Sequence, residues 1–239
     1  MRFSANLGFL FTDRPLPQAI HAAAAAGFDA VECHFPYEVP AAEVAAALRE
    51  SGLEMLGLNT HPGVREAGDF GLAALPGRED EARAAIAQAV DYARAIGAGN
   101  VHVMAGKTDG GAAAEATFRA NLTHACDLAV PHGIGILIEP INRRDVPGYH
   151  LATTDHAAAI VETLDRPNLS IMFDCYHVQI AQGDLLRRFE ALRHLIGHVQ
   201  FAGVPDRGEP DRGEVDYAWL LPQIAGRGWK APFGAEYRP

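Results

Sequence analysis

Apolar positions along the 239-residue chain fall into two alternating kinds of segment. Short runs rich in branched or aromatic residues, at 2–9, 28–33, 53–58, 100–104, 134–139, 169–174, 197–202 and 231–236, read as strands. Between them lie Ala-rich stretches with helical spacing, at 15–26, 41–51, 79–97, 112–132, 154–165, 179–194 and 215–227. Several of these close on glycine, as in AAAAAGF, RESGL and RAIGAG. Glycine supplies the left-handed residue that stops a helix. Thr153-Thr154-Asp155 offers a side-chain cap at one helix start, and Asp13-Arg14-Pro15 a proline at another.

Eight strands alternating with helices predict parallel pairing and right-handed crossovers. A doubly wound sheet would need a glycine-rich phosphate turn after an early strand, and Ala5-Asn6-Leu7-Gly8 is not one. The near-equal units predict an α/β fold of the (β/α)8 TIM-barrel type, a single domain over 1–239 with no linker or low-complexity tract to divide it. The stretch 60–78 is a long connection of the kind that carries substrate contacts. The chain stops three residues after Glu236, so the final C-terminal helix is expected to be lacking. A neighbouring helix or a second subunit, as in a homo-oligomer, would then cover that edge.

Composition narrows the function. The net charge of −10 argues against a nucleic-acid partner, which needs a basic stripe. An anionic small molecule stays open, because the local field in a cleft outweighs net charge. Cys33, Cys126 and Cys175 are odd in number and lack CxxC spacing, which fits a reducing compartment. With no signal-peptide layout and no apolar run near the ~20 residues of a membrane span, the expectation is a cytoplasmic protein without a membrane partner.

The candidate chemistry sits at strand ends. Glu139, Asp174, Gln200 and Glu236 close the runs GIGILIE, LSIMFD, GHVQ and APFGAE, at spacings of 35, 26 and 36 residues. One barrel unit takes about 30 residues, so the four recur once per unit at the same end. There they form an all-oxygen site suited to one divalent ion, Mg2+ or Mn2+. Glu139 and Glu236, on the fifth and eighth strands, face each other across the mouth as an acid/base pair.

The segments LIEPINRRDVPGYHL, FDCYHVQIAQGD, GHVQFAGVPDRGEP and GAEYRP, with GLAALPGRE before the third helix, resemble the hydroxypyruvate isomerase family among xylose-isomerase-like barrels. The resemblance covers nearly the whole chain. It implies a metal on Glu139, Asp174, Gln200 and Glu236, with the two Glu residues catalytic. It also implies isomerisation of hydroxypyruvate to tartronate semialdehyde through an enediolate. Relatives that epimerise free ketoses tend to carry His where this chain has Gln200. A 2-oxo-tetronate isomerase or a ketose 3-epimerase is the nearest alternative. A barrel endonuclease or a non-catalytic sugar-acid binder is more remote. An acid substrate needs a cation, for which Arg207 in PDRGEP is the first choice, with Lys107 a second. His177 would meet a substrate oxygen, and Glu32, at the end of the second strand, would reach the mouth. His198, two residues before Gln200, points the same way and is expected deeper in the barrel.

Overall fold

The computed structural model describes residues 1–239. Its elements run β1 (Phe3–Asn6), α1 (Leu16–Ala25), β2 (Ala30–Glu32), α2 (Ala41–Ser51), β3 (Glu54–Met55) and β4 (Gly57–Asn59). There follow α3 (Glu79–Ile96), β5 (Asn100–His102), α4 (Ala112–Ala129), β6 (Gly135–Ile138), α5 (Thr154–Leu164) and β7 (Leu169–Asp174). The last are α6 (Cys175–Ala181), α7 (Leu185–Leu192), β8 (Ile196–Phe201), α8 (Tyr217–Gly226) and β9 (Phe233–Ala235). All strand pairs are parallel, in the order β3-β2-β1-β9-β8-β7-β6-β5-β4. β3 and β4 are halves of one strand, split at Leu56, whose N–H still donates to Val31 O at 2.8 Å. The first half pairs with β2 and the second with β5, so the sheet closes into an eight-position ring. This is the expected TIM barrel.

The helices form for the reasons the pattern gave. Thr153 caps α5 by accepting from His156 N, and α3 opens on Glu79, Asp80 and Glu81 at its positive end. Gly52 and Gly97 stop α2 and α3 in the left-handed region, at φ 72° and 74°. One contiguous apolar core of 56 buried residues joins the helices to the outer faces of the strands. The inner faces are different in kind: Ser4, Asn6, Glu32, His102, His198 and Gln200 are all buried polar groups.

Three expectations need correction. The helix expected over 179–194 is two helices, because Gly183 and Asp184 both take positive φ, 68° and 53°, and turn the chain between them. The first strand ends at Asn6 rather than residue 9. There Asn6 Oδ1 accepts from Gly8 N at 2.9 Å and folds Leu7–Phe9 over the barrel end. The helix expected to run to 132 is α-helical only to Ala129 and ends in a 3-10 turn over Val130–His132. No helix follows β9 in residues 236–239, yet β9 is paired on both edges, with β8 and with β1. The ring is therefore closed by its own hydrogen bonds. No helix is long and apolar enough to cross a membrane.

Candidate active site

The strand ends carrying the polar inner face open on a cavity of about 660 Å³. Glu139 and Glu236 both line it, with His34, His102, His177 and Arg207. Glu139 follows β6 and Glu236 follows β9, three ring positions apart. Asp174 ends β7 and is also the N-cap of α6: its Oδ1 accepts from Tyr176 N at 2.9 Å, which leaves Oδ2 facing the cavity side. Gln200 lies beside Asp174 in register on β8.

Below the mouth lies a second polar layer. His198 Nε2 stands 2.7 Å from Glu32 Oε2, and Gln200 Nε2 donates to the same oxygen at 3.2 Å. Gly234 of β9 makes room for this trio. A Cβ there would fall on Glu32 Oε1, 2.8 Å from Gln200 Cγ and 2.9 Å from His198 Nε2. Glu32 thus belongs to the packed interior rather than the cavity wall, and His198 lies beside it, in the deeper position expected.

Arg207, at φ 58° in the loop after β8, reaches across the mouth. Its Nη2 lies 2.7 Å from Glu236 Oε2 and 3.1 Å from Asp174 Oδ2, and its Nη1 lies 2.9 Å from His177 Nε2. The guanidinium is sandwiched by the rings of Phe9 and Tyr176, with centroids at 5.0 and 4.9 Å. His177 Nε2 lies 3.7 Å from both Glu139 Oε1 and Asp174 Oδ2, while Asn142 holds its Nδ1. Lys107 is apart from all this. It is exposed, donates to Gly68 O at 3.1 Å, and does not line the cavity.

Residues that carried no signal in the chain also contribute. Glu236 Oε1 is met at 3.0 Å by both Asn6 Nδ2 and His34 Nε2. His34 packs flat on the backbone at Gly8, where any Cβ would strike its ring. His102 stands 3.7 Å from Glu139 Oε2.

The electrostatics set the carboxyl groups apart. Burial, then the neighbouring Glu236 and Asp174, push Glu139 well above the ordinary carboxylate range. Burial pushes Asp174 up to about 7 against the pull of Arg207. Burial acts on Glu236 too, but Arg207 and His34 outweigh it and hold the group down at about 2. Burial, helped by Arg207, lowers His177 to about 3, so its imidazole is neutral. Such opposed carboxyls mark acid/base sites.

The donors fit a divalent cation. Glu139 Oε1, Gln200 Oε1 and Glu32 Oε1 are buried without a hydrogen-bond partner. Buried oxygens of this kind ordinarily have one. The ligand atoms of Glu139, Asp174 and His177 lie within 4.8 Å of one another. Gln200, in register beside Asp174, turns its amide nitrogen to Glu32 and leaves Oε1 without a partner, and His177 stands alongside the same carboxylates. Hard oxygen donors with one imidazole suit Mg2+ or Mn2+.

The sequence profile of a family described as a xylose isomerase-like TIM barrel matches residues 20–239. The chain is 44% identical to the 2-oxo-tetronate isomerase of Cupriavidus necator, over 100% of its own length and 93% of the relative's. It is 38% identical to the hydroxypyruvate isomerase of Escherichia coli, over 100% and 94% of the two chains. A crystal structure from Brucella melitensis, titled an AP endonuclease of family 2, superposes with a TM-score of 0.96 at 40% identity and covers 100% and 93% of the two chains.

Proposed function

The chain belongs to the xylose isomerase-like TIM barrel family, among relatives named as isomerases, and on that premise we propose that it interconverts hydroxypyruvate and tartronate semialdehyde. The observation that carries this reading is the pair Glu139 and Glu236. Both are buried at the rim of one cavity, from strands across the ring, with proton affinities pulled in opposite directions. Moving a hydrogen between adjacent carbons needs such a pair on either side of the substrate.

Glu236 enters ionised, and it takes the proton from C3 of hydroxypyruvate. The electrons delocalise toward the C2 carbonyl oxygen and give an enediolate. Glu139 returns a proton at C2 while the C3 hydroxyl proton passes to the C2 oxygen, so the C3 oxygen becomes the aldehyde and the C2 oxygen the hydroxyl. Neutral His177 turns Nε2 to the mouth, where Arg207 Nη1 lies 2.9 Å away, while Asn142 holds its other nitrogen. Arg207 supplies the positive charge for the substrate carboxylate, with Nη1 the less engaged end of its fork. Phe9 and Tyr176 hold that fork and keep water from it. Glu139, Asp174, Gln200 and Glu236 would hold Mg2+ or Mn2+, which when bound supplies Lewis acidity for the carbonyl and hydroxyl oxygens. The acidic chain supports a small acid over a nucleic-acid substrate.

Glu139→Gln and Glu236→Gln should each lower turnover at least ~10²-fold, the low end of general acid–base effects. In D2O the product should carry deuterium at C2. Proton NMR of a panel of small 2-oxo acids and ketoses with Mn2+ or Mg2+ reads both results. Full turnover in either variant would refute the two-base scheme.

The 44% relative favours a second reading, 2-oxo-tetronate as substrate, through the same groups. The ratio of kcat/KM for the two acids in that panel decides between them.

A further inference from the structure

Away from the mouth, α4, the connection after β6 and α5 bring three ligating side chains to one point. Glu115 lies in the first turn of α4, His150 precedes α5, and His156 stands in the first turn of α5. His150 Nε2 and His156 Nε2 lie 3.0 and 2.9 Å from the same oxygen, Glu115 Oε2. We propose that Glu115, His150 and His156 form a second metal site, selective for Zn2+ or a similar late transition ion.

The first support is geometry. All three ligand atoms lie within 4.8 Å of one another. At metal–ligand bonds of about 2.0–2.2 Å, tetrahedral ligands stand roughly 3.3–3.5 Å apart. The two imidazole–carboxylate distances, 3.0 and 2.9 Å, therefore need to open by only a few tenths of an ångström to admit the ion.

The second support is how each ligand is aimed. His150 Nδ1 lies 3.0 Å from Thr108 Oγ1, so a proton on Nδ1 leaves the Nε2 lone pair for the ion. Arg119 Nε donates to Glu115 Oε1 at 2.6 Å and turns Oε2 toward the imidazoles. Ligating histidines and carboxylates are ordinarily fixed in this way by outer partners.

The third is access. The side chain of His150 is 4% exposed, against 27% for Glu115 and 33% for His156. The ion is thus held from within and reached from outside. Both histidines line a cavity of about 340 Å³ that also takes in Arg143 and Thr153, so a fourth position is open to water or a small anion.

The donor set also separates this site from the mouth. Two imidazoles favour zinc over magnesium, while the mouth is mainly oxygen. Bound there, the ion ties α4 to α5 across the connection that carries Glu139. The rival account is a set of hydrogen bonds on Glu115 with no ion.

The test is equilibrium dialysis of tag-free, chelator-stripped protein against micromolar Zn2+ in millimolar Mg2+. Bound zinc per chain is read by atomic emission, and its ligands by X-ray absorption. Wild type should hold one zinc that His156→Ala and Glu115→Gln lose, or bind at least tenfold more weakly. Glu139→Gln should keep that zinc, which sets it apart from any ion in the mouth. Zinc should raise Tm in wild type and not in the two variants. His156 is half-buried on the surface, so its variant should match wild type in circular dichroism without metal. If it does not, Glu115→Gln decides alone. Equal zinc in wild type and variants, or no zinc of two-imidazole type in wild type, overturns the proposal.

Discussion

Arg207 stands where a divalent cation and a substrate carboxylate would both act. It neutralises Asp174 and Glu236, and its guanidinium faces the cavity between two aromatic rings. Its removal should therefore have two effects of opposite sign. Arg207→Ala should lose about 1.5–3 kcal/mol of kcat/KM on an acid substrate, the range for a hydrogen bond to a charged group. The same variant should bind Mn2+ more tightly, because a like charge has left the carboxylates. Arg207→Lys keeps the charge without the fork and should lose part of the first effect. Kinetics on hydroxypyruvate and on a neutral ketose, with Mn2+ titration, check this. Equal kinetic losses on both substrates would mean that Arg207 shapes the loop instead. At this scale the sequence was informative where chemistry met a period: Glu139, Asp174, Gln200 and Glu236 recur at strand ends. It was silent on Asn6 and His34, which touch Glu236 from the far end of the chain. No spacing marks a partner brought in by closure. Lys107 shows the converse, a charge near a strand end that the loop turns outward to Gly68.

Elements were legible in number and order, less so at their ends. The strands are short because the pleat gives way to side-chain turns, as where Asn6 captures Gly8 N. The split after α6 was hidden because Gln182-Gly183-Asp184 lies inside a stretch with continuous helical spacing, and only the positive φ values reveal the turn. β9 shows how little an element's residues say before its neighbours are known. Gly234 reads as a weak strand residue, yet it is the one that fits against Glu32, Gln200 and His198. Gly234→Ala should cost about 1–3 kcal/mol, the range for overpacking a filled core. It should also lower kcat, since Gln200 and its neighbour Asp174 shift with it. Thermal unfolding and turnover measured together check this, and an unchanged Tm would mean that the interior is looser than the packing suggests.

For the whole molecule, the barrel followed from eight repeated units, and its pH behaviour follows from the charges it buries. Asp174 binds a proton up to about pH 7 in the folded chain but only in the ordinary carboxylate range when unfolded. Above that range the folded state holds the extra proton, so stability falls as pH rises toward 7. A divalent cation displaces this proton, and its affinity should climb at least about tenfold per pH unit up to 7. Calorimetry with and without Mn2+ at pH 5.5 and 8 should show the larger rise in Tm at pH 8; equal rises would sink the idea. Closure has a further consequence. Asn6 and Glu236, hydrogen-bonded in the finished site, are 230 positions apart, and β1 pairs with β9 over a similar interval. Contacts so remote carry the largest loop-closure entropy and accrue late. During synthesis the early strands wait for their last neighbour, and proton transfer becomes available only once the two ends of the ribbon have met.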